Sequence, residues 1–275
     1  MATSTGGGSA AAKTNGKGSR QRTAIIRAQT TAKRRCDSAG PGLNMADEHV
    51  FPLKRLTLPS GAGVALWLAG PAGPGGVPEP LWNSLSDGER NRANRFLHAR
   101  DRTLFVLTRA LLRTLLSEAT SVPANKIAFA EGAYGKPRLA GTGGPHFNVS
   151  HSGSWALIGL SDRRPIGVDI EAMHRAGGEL ELARSFFSDA EYRALASLEN
   201  GMLLQSFYKI WTCKEAVLKA LGAGISEHLK DFSVELTRER YAIHPDPNCV
   251  LPSLASVVAR SVEVPSGYAG CYALA

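Results

Sequence analysis

The segment Gln205–Gly224, QSFYKIWTCKEAVLKALGAG, leaves little choice of local structure. Apolar residues recur at Phe207, Ile210, Trp211, Val217, Leu218 and Leu221, the spacing of one helical face, and Gly222 and Gly224 supply the stop that a helix C-terminus favours. A helix here carries Glu215 and Lys219 four residues apart, projecting from one side. By itself that pair also has the spacing of an ordinary surface ion pair, worth ~0.2–0.5 kcal/mol. A second constraint lies upstream, in Ile166-Gly-Val-Asp-Ile-Glu171. As a strand it turns Val168 and Ile170 into a core and puts Asp169 and Glu171 together on the opposite face. Two neighbouring carboxylates are unfavourable unless solvent screens them or a cation joins them. Asp169, Glu171 and Glu215, with Lys219 beside them, therefore read as a Mg²⁺ site facing a phosphate.

Around these segments the chain alternates short strands with amphipathic helices. Val64–Leu68 reads as a strand and Gly70–Pro80 as a Pro/Gly-rich loop. Ser86-Asp-Gly-Glu89 and Ser188-Asp-Ala-Glu191 are capping-box patterns, the second opening a helix that runs towards Glu199. Asp101 is expected to cap the next helix, whose stripe of Leu104, Leu107, Leu111 and Leu115 is core, with Leu112 and Leu116 beside it. Ile127–Ala130 reads as a short strand and Ala133–Leu139 as a turn carrying cations. Phe147–Ser150 and Trp155–Leu160 alternate as paired strands around Ser152-Gly153, and Asp162–Pro165 is a turn that marks a domain boundary. Phe232–Leu236, Ala255–Val264 and Tyr268–Leu274 read as strands closing a sheet. Short antiparallel strands with segregated helices make the fold class α+β.

The net charge of +8 invites a nucleic-acid reading, but its location decides against one. Residues 1–44 hold Lys13, Lys17, Arg20, Arg22, Arg27, Lys33, Arg34 and Arg35 against Asp37 alone, which leaves the body from Met45 onward close to neutral. The body shows no basic stripe interleaved with aromatics. Residues 1–44 are too poor in apolar side chains to bury a core and are expected to be disordered. Their acid-poor, Ser- and Arg-containing composition fits an organelle transit peptide, and fits equally a start codon upstream of Met45-Ala-Asp-Glu. No run of 18 apolar residues exists, so no membrane span is expected. Cys36, Cys213, Cys249 and Cys271 are scattered without a C-x-x-C pair, which suits a reducing compartment such as the cytoplasm.

GVDIE, followed about forty residues later by WTCKEAVLK, resembles the paired signature of 4′-phosphopantetheinyl transferases of the surfactin-synthetase-activating (Sfp) type. Between them ARSFFSDAEY is similar to the family's RFF-x-x-x-E-Y segment, and FNVSHSGSWALIGL before them to its N-[VI]-S-H-S stretch. The similarity runs from Leu81 to Ser226, with the motifs in the family's order.

This resemblance implies a monomeric pseudo-dimer of two similar α/β halves, 45–164 and 165–275, each an antiparallel sheet packed against helices. It implies transfer of the phosphopantetheine arm of coenzyme A to a serine of an apo acyl- or peptidyl-carrier protein, with release of 3′,5′-ADP. A module that binds carriers but has lost catalysis is the alternative. The implied metal ligands are Asp169, Glu171 and Glu215, with Glu215 also the base and Lys219 the group facing the leaving phosphate. Coenzyme A contacts carried over are His151, Asn148 and Ser150 from the N-V-S-H-S stretch, Lys136 from Gly-Lys-Pro, and Arg92 from the first helix. Lys214 is assigned to phosphate contact or carrier docking. Where some members have an arginine early in the second helix, this chain has Leu104, with Arg102 two residues away.

Overall fold

The computed structural model describes residues 53–58, 63–71, 77–141, 143–174, 177–237, 240–251 and 253–275. The basic stretch 1–44 and the start at Met45 lie outside them. The described chain runs β1 (Leu53–Leu56), β2 (Val64–Ala69), α1 (Glu79–Asn83), α2 (Asp87–Ala93), α3 (Ala99–Thr120), β3 (Phe129–Glu131), β4 (Pro137–Leu139), β5 (His146–Ser152) and β6 (Trp155–Ser161). It continues with β7 (Ile166–Ala172), α4 (Glu179–Phe186), α5 (Asp189–Ala196), α6 (Asn200–Leu221), α7 (Ile225–His228), β8 (Phe232–Leu236), β9 (Tyr241–Pro245), β10 (Val258–Ser261) and β11 (Tyr268–Leu274). The class is α+β, as expected. Four of the strands through β6 build a sheet in the order β1-β2-β6-β5, β3 and β4 pair as a separate two-stranded sheet, and those from β7 onward build a five-stranded sheet in the order β7-β11-β10-β9-β8. Every ladder is antiparallel. Among the described residues no helix is long and apolar enough to cross a membrane.

The sheets share one apolar core. Leu56, Leu66, Leu68 and Leu157 of the first cluster with Ile166, Val168, Ile170, Tyr272 and Leu274 of the second. Burial of this apolar surface is what holds the two sheets together. The leucine stripe of α3 packs as predicted, with Leu112, Leu115 and Leu116 against Phe147, Ile158 and Leu160. Both capping boxes form: Ser86 with Glu89 opens α2 and Ser188 with Glu191 opens α5. The cap expected from Asp101 does not form. His98 occupies the N-cap of α3, and Asp101 lies in the first turn, where a negative charge meets the positive helix end.

Other boundaries also move. The central helix α6 begins at Asn200, seven residues before the first residue of its apolar stripe, Phe207, and ends as expected at Gly222, which adopts φ 69°. The strand expected over Ile127–Ala130 is shifted to Phe129–Glu131, because Ile127 closes a short 3₁₀ turn. Part of the Ala133–Leu139 turn becomes β4. The strand expected over Ala255–Val264 shrinks to Val258–Ser261 behind another 3₁₀ turn, and β9 was not foreseen.

Strands β5 and β7 are edges of different sheets, and they face one another. Side chains, rather than a backbone ladder, join them: Val168 N–H donates to Asn148 Oδ1 at 2.9 Å and Ala172 N–H to Ser152 Oγ at 3.1 Å. Edge amides that would otherwise be unpaired are thereby satisfied. Across β7 lies α6, at a distance only glycine permits. A Cβ on Gly167 would stand 2.0 Å from Ala216 O and 2.4 Å from Ala220 N.

Candidate active site

Period-two alternation places Gly167, Asp169 and Glu171 on the face of β7 that α6 covers. Helical spacing brings Glu215 and Lys219 down onto the same face. The Lys219 ammonium reaches Asp169 Oδ1 at 2.6 Å, Glu215 Oε2 at 3.3 Å and Ser150 Oγ at 3.4 Å. Ser150 Oγ donates to Asp169 Oδ1 at 2.7 Å, and Ser152 Oγ to Glu171 Oε2 at the same distance. The site thus lies on the line where the sheets meet, with serines on one edge and carboxylates on the other.

Its electrostatics are those of acids crowded out of water. Asp169 is 1% exposed and Glu215 6%. Burial, reinforced by the charge of Asp169, raises Glu215 to about 7, against the pull of Lys219 and of a hydrogen bond from Trp211. Burial and the charges of Asp169 and Glu215 likewise push Glu171 well above the carboxylate range. Burial alone would lower Lys219, but Asp169 and Glu215 outweigh it and hold the ammonium above the ordinary lysine range. Asp169 Oδ2 is buried and has no hydrogen-bond partner, an arrangement that costs free energy unless a cation completes it. No ready-made cluster of three acid, histidine or cysteine ligands exists among the described residues, since the Lys219 ammonium lies between the acids. The donor set of three carboxylates is nonetheless the hard-oxygen set that Mg²⁺ takes.

The remaining residues named from sequence divide by surroundings. His151 is exposed on β5. Asn148 and Ser150 point to β7 and are occupied there by Val168 and Asp169. Arg92 is exposed on α2, its guanidinium carbon 5.1 Å from the centre of the Phe105 ring. Lys136 reaches into the C-terminal part of the chain, donating to Ile166 O at 3.0 Å and Lys219 O at 2.5 Å.

Lys214 requires a correction. It is 0% exposed, pairs with Glu191 Oε2 at 2.9 Å, and donates to the carbonyls of Leu229 (2.7 Å) and Phe232 between the rings of Phe187 and Phe232. A cation so enclosed meets neither a phosphate nor a docked protein; it anchors α6 to the start of β8. Glu191, its partner, also accepts from Ser188 N–H and Val234 N–H, so the second capping box is part of this anchor.

Two contributors escaped the sequence reading, the Ser152 hydroxyl and Trp211. Ser152 could have been found by continuing the alternation Asn148, Ser150, Ser152 along β5. Trp211 lies one turn before Glu215, the same i,i+4 spacing that identified Lys219.

Residues 165–252 match the model of the 4′-phosphopantetheinyl transferase superfamily, and residues 80–162 that of the 4′-phosphopantetheinyl transferase N-terminal region. The chain is 32% identical over 194 residues to the 4′-phosphopantetheinyl transferase Sfp of Bacillus subtilis, covering 70% of this chain and 77% of the relative. It is 35% identical over 187 residues to the 4′-phosphopantetheinyl transferase HetI of a Nostoc species, covering 62% and 78%. With a putative 4′-phosphopantetheinyl transferase of a Synechocystis species the identity is 38% over 164 residues, covering 59% and 67%.

Proposed function

Because the chain belongs to the 4′-phosphopantetheinyl transferase superfamily, we propose that it transfers the phosphopantetheine arm of coenzyme A to a serine of an apo acyl- or peptidyl-carrier protein. The chain is a transferase, and the observation that carries its chemistry is the Lys219 ammonium set between Asp169 and Glu215 over a buried acid face. In the reaction the serine Oγ bonds to the pyrophosphate phosphorus that bears the pantetheine arm. The bond from that phosphorus to its bridging oxygen breaks, and 3′,5′-ADP leaves with the electron pair.

Glu215, poised at about 7, takes the serine proton directly or through a water. Lys219 meets the charge that grows on the departing phosphate oxygen, where a preorganised cation is effective. Asp169 and Ser150 hold that ammonium in place, and Ser152 holds Glu171. Asp169, Glu171 and Glu215 would bind Mg²⁺, with the orphaned Asp169 Oδ2 as the clearest vacant donor. The metal, when bound, neutralises pyrophosphate charge. His151 and Arg92, both exposed cationic or polar groups, are read as contacts to coenzyme A phosphates.

We also read the molecule as a monomeric pseudo-dimer whose halves meet after residue 164. Its support is one larger sheet, of four or five strands, and one 22-residue helix on each side of the Asp162–Pro165 turn. Free Cys213, Cys249 and Cys271 favour the cytoplasm, or an organelle reached through residues 1–44. Incubating the protein with coenzyme A, Mg²⁺ and a panel of apo-carriers, then weighing the intact carriers, tests the function. A carrier gaining the phosphopantetheine mass only in the presence of enzyme is expected. Carriers that bind but never gain mass would make the chain a silent docking module.

A further inference from the structure

We propose that Lys136 is a positioning residue for the transfer reaction, clamping the strand that carries Asp169 to the helix that carries Glu215 and Lys219. The proposal rests on the transferase reading for its kinetics but not for its geometry. Lys136 belongs to the first part of the chain, immediately before β4, in a turn where Tyr134 and Gly135 both adopt positive φ (55° and 76°). That turn delivers the ammonium to two carbonyls of the second part, Ile166 O at the start of β7 and Lys219 O in the last turn of α6. Both lie beside the close approach of Gly167 to Ala216 and Ala220, so the clamp acts where the strand and the helix are nearest.

The helix carbonyl it reaches has few other partners. Lys219 O otherwise receives Gly222 N–H at 3.3 Å, while Ala223 N–H goes to Leu218 O at 3.0 Å. An ammonium at this point also offsets the partial negative charge of the helix C-terminus. The ring of Tyr134 lies against Gly224 just beyond, 3.1 Å from where a Cβ would stand, so the turn grips the helix end at two places. The consequence is specific to Lys219: its carbonyl is held by Lys136 and its ammonium by Asp169 and Glu215. Releasing the carbonyl leaves the last turn of α6 free to move relative to β7, and misplacement by about 1 Å suffices to impair catalysis. Burial, with the nearby Lys219 charge, lowers Lys136 to about 8, consistent with an ammonium enclosed by carbonyls rather than facing solvent.

The test uses the full-length protein and two readouts: hydrogen–deuterium exchange over Leu218–Ala223, and kcat and KM for coenzyme A. Lys136→Met should accelerate exchange in that turn and lower kcat roughly 10- to 100-fold, with KM for coenzyme A essentially unchanged. Lys136→Arg, which keeps the cation and donors, should recover part of both. A raised KM with unaltered exchange would overturn the proposal and make Lys136 a nucleotide contact. Unaltered exchange and kcat would overturn it too. If Lys136→Met fails to fold by circular dichroism, Lys136→Gln is measured by the same criteria. A wild-type protein inactive on coenzyme A would count against the transferase reading alone, because the exchange comparison needs no turnover.

Discussion

The Lys219 ammonium stands 2.6 Å from Asp169 Oδ1, a contact between residues fifty positions apart on a helix and on the edge strand of a sheet. It turns an i,i+4 spacing on α6 into a buried triad with Glu215. Lys219 and Glu215 should therefore fail differently when altered. Glu215→Gln removes the base and a metal ligand, so turnover and Mg²⁺ affinity should both fall. Lys219→Met should lower kcat by roughly 10²–10³-fold with little change in the carrier's KM. Single-turnover rates at saturating coenzyme A and Mg²⁺ check both; unchanged rates would return the pair to a mere helix contact.

Asp169→Ala should abolish both Mg²⁺ binding and transfer while leaving the fold intact. The basis is the unpartnered Asp169 Oδ2, the donor best placed for a cation. Calorimetric titration with Mg²⁺ measures the binding directly, and near-normal heat in the variant would remove the strand carboxylates from the ligand set.

The raised acids predict a pH dependence of stability. Folded Glu215 titrates at about 7 against an ordinary 4.5, and Glu171 is raised as well. Between those values the unfolded chain has released protons that the folded chain still holds, so metal-free stability should fall as pH rises through that window. Mg²⁺ binds the deprotonated acids and should raise the melting temperature more near the top of the window than near its foot. Equal increments at both ends would argue against these carboxylates as ligands.

Lys214→Met should cost on the order of 3–5 kcal/mol, because it strands the Glu191 carboxylate in the interior. Adding Glu191→Gln should recover part of that loss. Urea unfolding measures both, and KM for coenzyme A in the surviving protein should not change. A selective KM effect at wild-type stability would restore the phosphate-contact role.

Gly167→Ala tests the approach of α6 to β7. The added methyl would meet helix backbone rather than a movable side-chain tip, so a loss of about 1–3 kcal/mol is expected, with kcat reduced as Glu215 and Lys219 are pushed from Asp169. Wild-type unfolding midpoints and rates together would show that strand and helix can separate without penalty.

Much of the site was legible because it obeys local periods. Alternation fixed Asp169 and Glu171 to one side of β7, and a four-residue step fixed Glu215 and Lys219 to one side of α6. Contacts across the meeting sheet edges obey no local rule, so the bonds from Ser152 to Glu171 and from Val168 to Asn148 were invisible. Lys214 failed for a related reason. Helical geometry says it departs from the helix about 100° away from Glu215, but only tertiary structure shows that Glu191 and two carbonyls wait there. Tyr241–Pro245, which ends in His244 and Pro245, carries no clear alternation, and its pairing with β8 and β10 supplies the strand.

The exposed turn at Asp162 and Arg163 joins β6, the neighbour of the serine-bearing edge strand, to the acid-bearing edge strand β7. Ser150 and Ser152 come before it in the chain; Asp169, Glu171, Glu215 and Lys219 come after. A cut there would leave the contacts of Lys219 with Asp169 and Glu215 whole in the second fragment, but would split every bond that Ser150 and Ser152 make to Asp169, Glu171 and Lys219. The acid–lysine cluster is thus written in one continuous stretch of chain, while the hydroxyls that steady it come from the other side of a single surface turn.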